Sequence, residues 1–561
     1  METKRPLLFM AFVFSVVLLI QYFELPYGYF LSSLLSFGKD DLNSGVSNHF
    51  KDNNYSSTVE SVVRNKSLVP EMALPVSSYN AEKNYSLDNL HATKAVPYVA
   101  SNRSTHVQSP RQNSSSTTKY PATMLVNDEK PAGLTKSDIS VLVNSSSTIT
   151  KKRRIKGPPT VVVPISTMND MLRQSRVSYR PMKPKWPSQA DKELLNTRKL
   201  TEGAQIMVKD HHVDVDVYRN YSEFIRSYEL MEQTLKIYNY REGEKPIFHQ
   251  PELDGIYASE GWFMKQLEEN KHFVTTNANK AHLFYLPFSS RMLEETLYVP
   301  NSHSRKNLVQ YLSRYLKTIT TKYRFWNRTC GADHFLVACH DWAPSETSRI
   351  MKNCIRSLCN ADAKGGFQFG KDVSLPETYV RYATNPLKNL GGKPPSQRRI
   401  LAFFAGKMHG YLRPILLNYW ENKDPDMKIF GKLQETKGKM NYIQYMKSSK
   451  YCISAKGYEP YTPRVVEAIF YECVPVIISD NYVPPFFETL NWESFAVFVL
   501  EKDIPNLKNI LLSISGQRYL EMQERVRQVQ KHFLWHSKPV KYDVFHMILH
   551  SIWYTRVFQI D

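Results

Sequence analysis

The sequence predicts an α/β protein with two lobes, each built on a parallel sheet, carried behind an N-terminal membrane segment and a long polar stem. Three observations lead to this. Short apolar or β-branched runs alternate with helical patterns from 222 to 339 and again from 400 to 499, which is how crossover-connected parallel strands read. One complete unit, strand, loop, helix and strand, is legible at 451–480 as YCISAKGYEPYTPRVVEAIFYECVPVIISD. The third is LLFMAFVFSVVLLIQYF at 7–23, apolar apart from Ser15 and Gln21.

As a helix the apolar run spans about 26 Å, enough for a thin early-secretory bilayer. Lys4 and Arg5 precede it, Glu24 follows, and the next basic residue is Lys39. Positive charge therefore holds residues 1–6 in the cytosol and sends the remainder to the lumen. The run exceeds the apolar core of a cleaved signal and no A-x-A site follows, so an uncleaved anchor is expected. Residues 24–200 are rich in Ser, Asn, Thr, Lys and Pro without a sustained period, the composition of a disordered stem. Patterns at 161–173 and 188–197 allow short elements there. Sequons at Asn54, Asn65, Asn84, Asn102, Asn113 and Asn144 indicate a glycosylated stalk, and Asn220 and Asn327 carry two more beyond it.

With 561 residues the chain can hold two core-forming domains plus extensions. Its formal charge of +20 suits a polyanion, nucleic acid or an anionic membrane. No zinc-finger, helix-turn-helix or RNP pattern supports nucleic acid. The basic run Lys151-Lys152-Arg153-Arg154 lies beyond the membrane segment and reads as a solvated charge run.

The first lobe, 220–390, reads as a helix at 222–235, a strand at 236–240, a helix at 259–270, a strand at 282–286, a helix at 301–323 and a strand at 334–339. His249, Glu260, His340 and Asp341 fall at element ends. Singly, such residues more often cap or brace than catalyse; Glu260 and the His340-Asp341 pair are the candidates for a general base.

The second lobe, 396–561, follows the linker Gly391-Gly392-Lys393-Pro394-Pro395, with strands expected at 400–405, 428–430, 451–454, 474–479 and 495–499 and a helical segment at 517–557. The first strand runs into Gly406-Lys407-Met408-His409-Gly410. Glycine lets backbone approach a ligand, and Lys407 and Arg413 can clamp phosphate oxygens. In the 451–480 unit, Thr462 reads as an N-cap and Pro463 as the first helical residue, with the helix ending near 472. Arg464 then stands at a helix N-terminus, one turn before Glu467. The dipole contributes about 0.3–1 kcal/mol toward an anion, whereas a hydrogen bond from a charged group is worth roughly 1.5–3 kcal/mol. Arg464 is thus the stronger determinant, and Glu467 can accept both hydroxyls of a ribose. With Ser454, Lys456 and Gly457 in the intervening loop, the unit points to a nucleotide diphosphate; the bland alternative is an exposed i, i+3 ion pair.

No metal or other cofactor is expected. His211-His212 adjoins Asp214-Val215-Asp216, but this D-x-D precedes the first lobe, away from any nucleotide strand, and reads as surface. Of the six cysteines, Cys330, Cys339, Cys354 and Cys359 cluster and can form two bridges of undetermined pairing. Cys452 and Cys473 are either buried thiols or a pair.

Together with RRILAFFAGKMHGYLRP at 398–414 and SYELMEQTLKIYNYREGEKPIFHQP at 227–251, the 451–480 stretch is similar to the donor region of two-Rossmann (GT-B) nucleotide-sugar glycosyltransferases. It most closely resembles the plant exostosin-like enzymes of glycosyltransferase family 47, over about 220–555. The resemblance implies a Golgi type II enzyme that moves a sugar from a UDP-sugar to a pectin or hemicellulose chain. Inversion, a first-lobe base, a C-terminal helix returning across the first lobe and association with other glycosyltransferases are implied with it. Glu459 and Glu467 show an E-x7-E spacing reminiscent of retaining enzymes, but family 47 inverts, so no retaining mechanism is carried over. Two other readings stand beside this one: a non-catalytic partner of a transferase, and a membrane-anchored polysaccharide-binding protein.

Overall fold

The computed structural model describes residues 161–178, 183–205, 214–433 and 439–560. The chain divides into Met1–Asp138 and Ile139–Asp561, and all described residues belong to the second unit. The run at 7–23, the stem sequons from Asn54 to Asn144, the basic run at 151–154 and the pair His211-His212 lie outside them. Among the described residues no helix is long and apolar enough to cross a membrane.

Two five-stranded parallel sheets organise the second unit. The first holds β1 (Ile237–Asn239), β2 (Leu283–Tyr285), β3 (His334–Ala338), β4 (Ile355–Leu358) and β5 (Val373–Ser374), laid down in sequence order. The second holds β6 (Ile400–Ala405), β7 (Met427–Phe430), β8 (Ser449–Ala455), β9 (Val474–Ile478) and β10 (Val497–Phe498), in the order β10-β9-β8-β6-β7. Its direction of growth reverses between β6 and β8. The central strands are buried along their length because helices cover both faces, which is why they read as continuous apolar runs.

Strands β4 and β5 were not expected from the sequence. Strand β4 carries Arg356, 4% exposed, whose guanidinium is neutralised by Asp372 just ahead of β5. A local window reads this charge as surface; only the long-range partner makes it a core residue.

Part of the predicted stem is folded. Within 24–200, α1 (Ile165–Ser178) and α2 (Gln189–Glu202) pack onto the globular unit, with Val163, Met168, Leu172 and Leu194 in its core. Ser188 and Asp191 form a capping box on α2, and Asp191 also receives Arg328 at 2.5 Å. The patterns at 161–173 and 188–197 marked these places, but the two helices are mostly polar and their few apolar residues are buried only against the globular unit.

Helices α3 (Tyr221–Thr234), α4 (Ala258–Glu268), α5 (Ser290–Leu297) and α6 (Lys306–Lys322) belong to the first lobe. In the second, α7 (Leu412–Trp420) follows β6, α8 (Tyr442–Ser448) leads into β8 and α9 (Arg464–Phe470) joins β8 to β9. The capping expectation is off by one: Pro463 is the N-cap and Arg464 the first helical residue. The helix also stops early, because Glu472 adopts φ 55°. The predicted C-terminal helix is two, α10 (Gly516–Gln530) and α11 (Val544–Gln559). Helix α11 is apolar around nearly its whole circumference and crosses the first lobe against α2, α3, α4, β4 and β5.

The cysteine cluster forms one bridge, Cys339–Cys359, which joins the ends of β3 and β4; Cys330 and Cys354 are free thiols. Cys452 and Cys473 are paired, tying β8 to the start of β9.

Candidate functional site

In an open parallel sheet, ligands bind outside the carboxyl ends of the strands where the strand order reverses, because there the loops diverge. Here that point lies between Ala405, ending β6, and Ala455, ending β8. Two arginines occupy it. Arg464 donates from Nε and Nη2 to the Ala405 carbonyl at 3.1 and 2.9 Å and from Nη1 to Thr462 Oγ1 at 3.1 Å. Arg413 donates from Nε to the Ala455 carbonyl at 3.3 Å and from Nη1 to the Lys407 carbonyl at 3.1 Å. Both guanidinium groups lie over the Phe404 ring, at 5.3 and 6.0 Å.

Neither arginine forms a salt bridge with a described carboxylate, although Arg413 is buried. Burial, with Arg464 beside it, pulls the Arg413 pKa down to about 10. Two like charges side by side, Arg413 buried and Arg464 half-buried, favour any anion that joins them. The glycines serve this pair: a Cβ on Gly406 would stand 2.5 Å from Arg464 Nη2, and one on Gly457 would stand 3.1 Å from Arg413 Nη2. They make room for guanidinium groups rather than for the ligand directly. Ser454 Oγ, buried on β8, has no hydrogen-bond partner among the described residues.

Other predicted residues sit differently. Lys407 is exposed on the loop after β6. Lys456 turns to Glu501, 3.8 Å away, over the Tyr411 ring. Glu467 accepts from Arg381 Nη2 at 2.6 Å and from the Tyr442 hydroxyl at 2.8 Å, so each carboxylate oxygen already has a protein partner. It braces the 378–382 segment against α9, a contact across lobes that no sequence window contains.

The first lobe brings its three candidates to one place, the end of β3, but gives them different environments. Glu260 is fully buried. One oxygen accepts from the backbone N–H groups of Cys339 and His340, at 2.5 and 3.0 Å; the other accepts from Ser289 Oγ and the Arg291 N–H, at 2.5 and 3.2 Å. With both oxygens committed, Glu260 is a brace. His340 is buried between Tyr257 and Trp342, and desolvation lowers its pKa to about 4, so its ring is neutral at pH 7. Asp341 is half-buried, and its Oδ1 accepts from Tyr257 at 3.0 Å and Tyr461 at 2.6 Å. Tyr461 belongs to the second lobe and also donates to the Cys339 carbonyl at 2.8 Å. Asn360 donates to the Asp341 carbonyl at 2.8 Å and to Glu459 at 3.3 Å. The loop before α9 thus draws the end of β3 toward the arginine pair.

Sequence reasoning missed Glu377. It is buried after β5, and its Oε2 has no hydrogen-bond partner among the described residues; burial, then Asp341, holds its carboxyl well above the usual range, against the pull of Arg464 and Arg413. The local stretch SLPET offers no motif, and its position depends on β5. The D-x-D residues Asp214 and Asp216 both receive Arg525, at 2.6 and 2.8 Å. Asn220 caps α3 and is exposed, as is Asn327.

Fold and site together define a two-lobed α/β protein with two arginines that form no salt bridge among the described residues at the carboxyl edge of its second sheet. A profile of the exostosin GT47 domain matches residues 231–514. A probable glycosyltransferase of Arabidopsis thaliana is 42% identical over 428 residues, 74% of this chain and 82% of that relative. The chain belongs to the exostosin-like glycosyltransferases of family 47. It is also similar to a probable glucuronosyltransferase of Physcomitrium patens, 31% identical over 54% of this chain and 70% of that one. A probable beta-1,4-xylosyltransferase of Arabidopsis thaliana is 28% identical over 57% of this chain and 81% of that one. Among solved structures, Anabaena Alr3699/HepE in complex with UDP aligns at TM-score 0.26 and 11% identity over 56% of this chain and 97% of that one, a likeness too slight to argue from.

Proposed function

We propose that this chain transfers a sugar from a UDP-sugar to a hydroxyl of a plant cell-wall polysaccharide, pectin or hemicellulose, with inversion and without a bound metal. It would do so as a single-pass type II membrane protein of the Golgi with both lobes luminal. The observation that carries this reading is the pair Arg413 and Arg464, unneutralised at the reversal of the second sheet. A diphosphate there relieves their mutual repulsion and meets fixed donors in a desolvated cleft. Kinship with a probable glucuronosyltransferase and a probable beta-1,4-xylosyltransferase supports a cell-wall glycan as product.

Asp341 is the base on this reading. Tyr461 of the second lobe reaches it, and both tyrosine bonds go to Oδ1, leaving Oδ2 to accept. The acceptor oxygen bonds to the anomeric carbon as its proton passes to Asp341; the bond from that carbon to the β-phosphate oxygen breaks, and UDP departs with the electron pair. Arg413 and Arg464 meet the charge that develops. The test is thermal stabilisation of the full-length chain in detergent by UDP, with and without EDTA. A rise that survives EDTA and disappears in Arg464→Ala and Arg413→Ala supports the site; an unmoved wild-type Tm at millimolar UDP overturns it.

A further inference from the structure

Beside Tyr257, the partner of Asp341, lies a cavity of about 490 Å3, within the size of pockets that hold small ligands. Its walls include Glu252, Asp254, Tyr257, Arg291, Tyr379 and Arg381. Tyr257 is shared with the proposed base, since its hydroxyl donates to Asp341 and its ring meets His340 edge-on at 5.1 Å. Across the cavity, Arg381 is the residue bound to Glu467 of α9. One lining residue thus bonds the proposed base and another bonds a helix of the second lobe, which puts the cavity next to the place where an attacking hydroxyl has to arrive.

The chemistry of the walls selects what can enter. Tyr379 is 40% exposed with the Arg381 guanidinium 4.1 Å from its ring centroid, and Arg291 lies 5.6 Å from that of Tyr257. Exposed aromatic faces suit the C–H faces of pyranose rings, and the polar groups around them suit hydroxyls. The arginines present no free positive charge: Arg291 is paired with Glu294 at 2.9 Å and with Glu295, and Arg381 with Glu467 at 2.6 Å. Glu252 and Asp254 are exposed and form no salt bridge among the described residues. A chain of net charge +20 thus carries a locally negative acceptor wall, which repels carboxylate-rich chains over a Debye length, roughly 8 Å at physiological salt.

We propose that this cavity binds the acceptor and that the acceptor is a neutral, hydroxyl-rich glycan rather than a polyuronate. The proposal rests on the donor-site reading above and narrows its product class toward the uncharged hemicelluloses.

Isothermal titration of the full-length chain in detergent, with UDP present, tests it. The probes are a pooled set of neutral hexaoses (gluco-, xylo-, galacto- and manno-configured) and hexagalacturonate. The neutral pool should bind at least about tenfold more tightly than hexagalacturonate. Tyr379→Ala should weaken the neutral pool about fivefold. The double substitution E252K and D254K should strengthen hexagalacturonate about tenfold, an effect that shrinks with added salt. Hexagalacturonate binding as tightly as the neutral pool, binding of neither, or a charge reversal that moves neither affinity overturns the proposal. Stabilisation by UDP, measured on the same preparations, reports the donor site separately. If UDP binding is intact while the glycan results fail, the acceptor assignment alone falls; if wild type also ignores UDP, the donor reading falls with it.

Discussion

Both sheets are parallel and five-stranded, yet they contribute unequally. In the first, spatial order follows chain order, and several strand ends meet the second lobe, β3 through Asp341 and Tyr461 and β4 through Asn360 and Glu459. In the second, the chain returns past β6 to place β8 on its other side, and the carbonyls of Ala405 and Ala455 face the divergence. Arginines cap both carbonyls and are left without carboxylate partners. Parallel strands alone do not make an anion site; a reversal of order with uncompensated cations does. On the proposed reading, proton removal falls to the first lobe and leaving-group charge to the second.

Asp341→Asn should break the comparison most sharply, lowering kcat by about 10²- to 10⁴-fold while stabilisation by UDP stays intact. Loss of UDP binding in the same variant would mean the two sheets do not divide the work. Arg464→Ala should cost about 10²- to 10³-fold in turnover and abolish the UDP shift. Arg464→Lys should recover only part of it, since an ammonium cannot span the Ala405 carbonyl and Thr462 while facing a phosphate.

Glu260→Ala separates a brace from a base. It should lower unfolding free energy by about 3 kcal/mol, read from the urea midpoint, because it strips partners from buried N–H groups. Unchanged stability with a collapsed kcat would return Glu260 to the role of base. The disulfides offer a matched pair, one per sheet, with sequence separations of 20 and 21 residues. Replacing either pair by alanines should cost about 3 kcal/mol, with little difference between them.

The smallest effect is in pH. Burial lowers the pKa of His340 to about 4 and of His532 and His550 to about 3, against an ordinary value near 6.5. The unfolded chain therefore binds more protons below pH 6.5, and stability falls as pH drops from there toward 4. Each histidine contributes at most about 1.4 kcal/mol per pH unit. His550→Phe should flatten the dependence of Tm on pH in that window by about a third; an unchanged slope would place the acid sensitivity elsewhere.

By itself the sequence determined the α/β class, the strands of the second sheet to within two residues at their ends, and the position of Arg413 and Arg464 just after strands of that sheet. These follow from local physics: a buried parallel strand is a continuous apolar run, and Gly406 and the Arg464 turn stand beside such runs. It also set His340 and Asp341 just past a predicted strand, because element ends are visible as breaks in pattern; that Glu260 meets them there comes from the fold. Only the tertiary structure decided what each polar group does. Glu260 is spent on backbone N–H groups, Glu467 on Arg381 and Tyr442, Lys456 on Glu501, and the D-x-D on Arg525. Strand β4 hides a charge whose partner lies 16 residues away, and α1 and α2 gain their buried faces from the globular unit. A side chain's type sets which bonds it can make, but which partner takes it depends on contacts far apart in sequence, and those exist only once the chain has closed on itself.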